Sequence, residues 1–220
     1  MNKKKSLAFI IINLFIFITT CTAVPVTLIF GSRAGRLDNL GFPFWQHAIT
    51  FTVLSNIFLA LVAFAATIIA IRARIKHQSL PNAIVKWYLA AASSAMLTCV
   101  TVVFFLAPAR AISGKNYFDM LLEPMFFLHF LNPILSALTI SLFTPACRLG
   151  LRPRLLAMIP MVLYAIVYVT CVIFLKIWPD FYSLTFGGRY YLTPIVFAVF
   201  CLALFGISSL LAFFHNRNLE

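Results

Sequence analysis

The sequence predicts an all-α integral membrane bundle of six transmembrane helices, a single domain over residues 1–220, with both termini in the cytoplasm. Three observations predict it. First, 63% of the 220 residues are hydrophobic and only 10% are charged, with a mean hydropathy of +1.01; a soluble domain of this length needs a far more polar surface. Second, six stretches reach the roughly 20 apolar residues that a helical crossing requires. Third, the basic residues fall mostly on one side when those stretches are threaded alternately through a bilayer.

The first stretch, roughly 7–30, follows MNKKKS, a start that resembles a signal peptide. Its apolar run is much longer than the about 7–15 residues of a signal h-region, so an uncleaved anchor is expected. The second stretch, 47–71, begins in FWQHAITFTVLSN and the third, 84–107, contains AAASSA, where small residues let a helix approach its neighbours closely. The fourth, 124–145, lies within EPMFFLHFLNPILSALTISLF; the fifth and sixth cover 155–175 and 193–214. No internal repeat joins them.

With the N-terminus inside, the inner segments carry Lys3, Lys4, Lys5, Arg72, Arg74, Lys76, Lys86, Arg148, Arg152, Arg154 and Arg217. The outer loops carry Arg33, Arg36, Arg110, Lys115, Lys176 and Arg189, which completes the 17 basic residues, together with the acids Asp38, Asp119, Glu123 and Asp180. This is the positive-inside pattern of a protein in the cell's cytoplasmic (inner) membrane. The net charge of +12 therefore reports topology and contact with anionic membrane lipids, and no nucleic-acid partner is expected. Trp178, Tyr182, Tyr190 and Tyr191 suit the interfacial aromatic belt.

The chain lacks a glycine-rich phosphate loop, a GxSxG elbow and HExxH, which sets aside most familiar hydrolase and metal chemistries by pattern. Its five cysteines stand singly, with no disulfide framework and no ligand spacing. Haem ligation needs paired histidines at bundle depth, and only His129 is so placed. No cofactor or metal ion is expected, and the oligomeric state is left open.

Within the apolar stretches a few polar residues stand out. Thr52, Ser55 and Asn56 share one helix face by their i, i+3, i+4 spacing. Thr52 falls about 9 Å below Gln46, and His129 about 7.5 Å below Pro124, by helical rise. Both helices run inward, so a hydroxyl and an imidazole are expected at one level in the outer half of the membrane. Serine and threonine in such helices usually bond the carbonyl three or four residues back, which accounts for Thr50, Ser55 or Thr101 and, taken alone, for Thr52. Asn56 is equally suited to joining two helices. His129 points to a site, because ionisable residues inside spans usually mark one. His47, His77 and His215 fall near the faces and are expected at the surface. A neutral histidine beside a threonine hydroxyl is the base and nucleophile of acyl transfer. Asn56 or Asn132 would then donate to an oxyanion or orient the pair.

FTVLSN (51–56), LHFLNPIL (128–135) and the outer-loop WPDFY (178–182) resemble signature stretches of a bacterial six-pass integral membrane family. More distantly, the whole chain is similar to the eukaryotic androgen-induced and androgen-dependent TFPI-regulating membrane proteins, six-pass intramembrane threonine hydrolases that cleave fatty acid esters of hydroxy fatty acids. The resemblance implies a threonine nucleophile at Thr52 and a histidine at His129, with membrane lipids as surroundings and a lipid-like acyl substrate. The expectation is an intramembrane lipid ester hydrolase; the alternative is a non-enzymatic protein that binds or moves a lipid or small apolar molecule. The hydrolase calls for an apolar cavity beside Thr52 and His129, roofed by Trp178 to Tyr182.

Overall fold

The computed structural model describes residues 3–30, 45–122, 124–144 and 147–219. Arg33, Arg36, Asp38 and Glu123, which enter the charge pattern, lie outside the described residues. Among the described residues the chain is helical and contains no strand. Helix α1 covers Lys3–Phe30, α2 Trp45–Ala48, α3 Phe51–Ile75, α4 Asn82–Thr101, α5 Ala107–Ile112, α6 Asn132–Leu138, α7 Leu151–Leu156, α8 Ile159–Val169 and α9 Thr193–Arg217. Five continuous runs are long and apolar enough to cross a membrane: Lys5–Ile29, Phe51–Ile75, Asn82–Ile112, Leu151–Phe174 and Tyr190–Arg217. A sixth, shorter apolar run, Phe127–Phe143, occupies the fourth expected stretch. These helices make the chain a multi-pass membrane protein by length and composition.

One boundary moves for a clear local reason. The second crossing was expected from residue 47, yet α3 starts at Phe51 because Thr50 adopts an extended conformation and its hydroxyl accepts the Val53 N–H. A threonine that caps the first turn in this way stabilises a helix start, and it overrides the continuous apolar pattern.

Among the described residues four π turns interrupt or end the apolar helical runs, at Val102–Leu106, Phe127–Leu131, Thr139–Phe143 and Thr170–Phe174. The first two lie just ahead of Pro108 and Pro133. Proline has no N–H to give the carbonyl four residues back. A turn wound one residue wider accommodates that gap: Ala107 N–H donates to Val102 O and Asn132 N–H to Phe127 O, each five residues back.

α4 is the centre of the bundle and touches α3, α6, α7, α8 and α9. Its AAASSA run is buried throughout. Ala91, Ala92 and Ala95 meet Ala63, Ala66 and Ala70 of α3 in one core, with Phe9 and Ile16 of α1 beside them. At the opposite end Tyr164, Tyr168, Phe197 and Phe51 form a second core. A third, small one joins Ala23, Val53, Met125 and Leu128.

Candidate functional site

The third core lies where α1, α3 and the Phe127–Phe143 run meet, and polar side chains cluster around it. Asn56 is fully buried. Its amide nitrogen donates to Thr52 O and to Leu128 O, both at 2.9 Å. The carbonyls of residues 52 and 128 therefore stand no farther apart than those two bonds laid end to end. One asparagine thus draws the backbone of Thr52 towards that of His129's neighbour.

Ser55, on the adjoining face of α3, bonds Thr52 O at 3.1 Å and the Thr98 hydroxyl of α4 at 3.2 Å. At about 100° per residue, Thr52 lies between Ser55 and Asn56 around the helix. Its side chain is directed to the junction of α4 with the fourth run.

Thr52 does not make the carbonyl bond usual for its residue type. Thr50, Thr67 and Thr139 each bond a carbonyl three or four residues back. For Thr52 those carbonyls belong to Ile49 and Ala48, across the break before α3, and its hydroxyl makes no hydrogen bond among the described residues.

His129 is 6% exposed, inside the π turn Phe127–Leu131. Its Nδ1 lies 2.6 Å from Met120 O. A carbonyl only accepts, so in the neutral ring Nδ1 carries the hydrogen and Nε2 keeps the lone pair. Nε2 has no hydrogen-bond partner among the described residues. Asn56 Oδ1 is buried and unpaired, although buried polar groups are normally paired. The hydroxyl of Thr52, which is half-buried, and His129 Nε2 stand on touching elements and also make no hydrogen bond among the described residues. The Thr52 hydroxyl and the His129 ring do not bond each other.

Asn132 is committed elsewhere. Its Oδ1 accepts from Thr19 at 2.9 Å and its amide donates to Thr20 at 3.0 Å, which ties the fourth run to α1. With Asn56 and Ser55 bonded as above, the donors of all three supporting residues are taken up within the fold. Among the described residues no group of three metal-ligating side chains gathers.

A cavity of about 400 Å³ runs between α3, α4 and the α7–α8 segment, with Phe51, Leu54, Phe58, Trp87, Tyr164 and Trp178 on its wall. Ser55 lines it; Thr52 and His129 do not. The cavity thus lies on the other side of Ser55 from the pair, because the face of α3 that bears Phe51, Leu54 and Phe58 turns towards α8. The loop expected on the outside does cover this end. Trp178 walls the cavity, and the Tyr182 hydroxyl accepts the Phe51 N–H at 3.0 Å.

Asp180 folds that loop. It accepts from the Tyr168 hydroxyl at 2.5 Å, from the Leu184 and Thr185 N–H groups at 2.8 Å and from the Thr185 hydroxyl at 2.6 Å. Burial pushes its carboxyl up, but these bonds outweigh burial and hold it below the usual carboxylate range. Burial pushes the Tyr182 phenol up to about 12.

Two histidines expected at the surface are buried. His47 is 8% exposed and His215 1%, the latter with Nδ1 2.9 Å from Ile140 O and Nε2 3.1 Å from Cys147 O. His77 is exposed. The Met120 carbonyl that orients His129 carried no sequence signal, since any residue supplies a carbonyl. Compared with known proteins, the chain matches no family model, no curated protein and no solved structure.

Proposed function

We propose that the chain is an intramembrane lipid ester hydrolase with Thr52 as nucleophile and His129 as base, in a six-pass bundle whose termini both lie in the cytoplasm. The observation that carries the reading is the trio of unpaired polar atoms around the Asn56 bridge: the Thr52 hydroxyl, His129 Nε2 and Asn56 Oδ1. A histidine fixed through Nδ1, with Nε2 free, is arranged as a general base that a backbone carbonyl orients.

In the reaction the Thr52 oxygen attacks the ester carbonyl and its proton passes to Nε2. The departing alkoxide takes that proton and leaves as the alcohol. Water then adds to the acyl-threonine, again giving its proton to Nε2; the acyl–threonine bond breaks, the Thr52 oxygen takes that proton back, and the carboxylic acid is released. The pair makes no hydrogen bond in the free protein, so substrate binding must bring hydroxyl and ring within about 3 Å. The likeness to the intramembrane threonine hydrolases supports the same two roles and an acyl substrate drawn from the bilayer. The basic residues at the ends of α3, α7 and α9 support the orientation and a place in the cytoplasmic membrane.

The apolar cavity favours a second reading, a non-enzymatic protein that binds or moves a lipid, because its wall lacks both Thr52 and His129. A fluorophosphonate activity probe separates the two. Labelling is expected on the intact chain and lost in Thr52→Ala and His129→Ala variants that keep their fold. Absence of labelling, or labelling unchanged by Thr52→Ala, would leave the binding reading in its place.

A further inference from the structure

A second pocket, independent of the Thr52–His129 reading, lies at the opposite end of the bundle. It has a volume of about 310 Å³ and is lined by Arg154, Phe213, Asn216 and Arg217. Arg154 belongs to α7, near the start of its crossing, and the other three to the last turns of α9. Two guanidinium groups therefore share one pocket at a membrane boundary.

The pocket is built rather than merely charged. Asn216 bonds Leu149 on both sides, accepting its N–H at 2.8 Å and donating to its carbonyl at 3.1 Å. Arg154 Nη2 donates to the same carbonyl at 3.1 Å, which fixes the guanidinium against a fully buried residue. That contact leaves Arg154 Nε buried without a partner. The described carboxylates, Asp119 and Asp180, belong to the loops at the other end, where Asp119 pairs with Arg110 at 3.7 Å. Neither Arg154 nor Arg217 has a carboxylate partner among the described residues. A held guanidinium with an unspent donor beside a second arginine calls for an anion, and a phosphate oxygen fits that fork geometry.

The remaining wall says where the anion comes from. Phe213 is 55% exposed, and Leu210 and Phe214, likewise exposed, continue its apolar surface along α9. A free phosphate has no use for such a flank, whereas a phospholipid lays its acyl chains there while its phosphate meets the arginines. We infer that Arg154 and Arg217 form a specific site for the phosphate of one anionic phospholipid in the adjoining leaflet.

Native mass spectrometry of the full chain in neutral detergent tests this, with phosphatidylglycerol or phosphatidylcholine titrated in. One phosphatidylglycerol should be retained in preference to phosphatidylcholine. R217Q should weaken it about fivefold and R154Q/R217Q about thirtyfold. R72Q/R74Q, which alters charge at the end of α3, should change it less than about twofold. R217Q removes a guanidinium that makes no hydrogen bond or ion pair among the described residues, so it carries the test even where R154Q fails to fold. Four results would overturn the inference: equal retention of both lipids, unchanged binding in R217Q, an equal loss in R72Q/R74Q, or displacement of the lipid by inorganic phosphate.

Discussion

Along the middle of α3 and α4, Ala63, Ala66, Ala91, Ala92 and Ala95 bring the two helices together with almost no side chain between them, and each is fully buried. Towards the loop after α8, Tyr164, Tyr168, Phe181, Tyr182 and Phe197 fill the space between α8, α9 and that loop with ring contacts of 4.7–6.5 Å. The first region relies on close approach; the second relies on bulk, with a carboxylate to organise it. In a bilayer apolar side chains gain little by leaving lipid, so close packing and hydrogen bonds must hold helices together. The alanine seam supplies the packing and the Asp180 cluster supplies the bonds. The seam should therefore be sensitive to size and indifferent to pH, and the aromatic end the reverse.

The most severe break should be Ala91→Leu. A branched side chain has no room between α3 and α4, and overpacking of this kind costs about 3 kcal/mol or prevents folding; unfolding of the purified protein in mixed micelles reads it. Tyr168→Phe should rank next. It removes the hydroxyl that donates to Asp180 and leaves the ring in place, a loss of about 2 kcal/mol for a hydrogen bond to a charged group.

Acid sharpens the contrast. Asp180 has its carboxyl held below the usual range, so its contribution is fully present above its unfolded value near ~3.9 and disappears as pH falls through the lower folded value. Fluorescence of Trp178 should shift in that acid window, while Trp87, on α4 and outside the Asp180 hydrogen-bond cluster, should not. Asp180→Asn should remove the transition. An equal response from both tryptophans would mean that the two ends do not behave as separate regions. The smallest effect should come from Ser55→Ala, which gives up the Thr98 bond for about 0.6 kcal/mol, the usual size of an interhelical hydrogen bond in a membrane protein, seen as a slight drop in thermal midpoint.

Five of the six expected crossings were legible because a long apolar run is a strong signal that needs no partner to be read; the fourth stretch forms the shorter apolar run Phe127–Phe143. The run AAASSA also announced close packing. The break at Thr50 was hidden, since a capping hydroxyl and a back-bonding one look alike in sequence and only the backbone angle decides between them. Asp180 was counted as an outer charge, but its partners come from Tyr168, Leu184 and Thr185, and nothing in the residue spacing joins them. At the candidate site Thr52, Asn56 and His129 stood out as polar residues in apolar surroundings. Their arrangement did not: Asn56 spends its amide on two carbonyls, and Asn132 turns to α1. His215 was read as a surface residue because its partners are the backbone carbonyls of Ile140 and Cys147, which leave no mark on composition or pattern.

The π turn at Phe127–Leu131 has a hereditary consequence. A turn one residue wider is an insertion that the helix has absorbed, and everything after it is rotated by about 100° relative to a continuous α-helix. Asn132 reaches Thr19 and Thr20 only because of that rotation. Removing Phe130, which is 39% exposed, would take away the extra residue that accommodates Pro133 and swing the part of the segment that follows away from α1. Most substitutions at this lipid-facing position should be tolerated, and its deletion should not. In a set of variants of this protein, length at residues 127–131 should be invariant while the identity of residue 130 drifts.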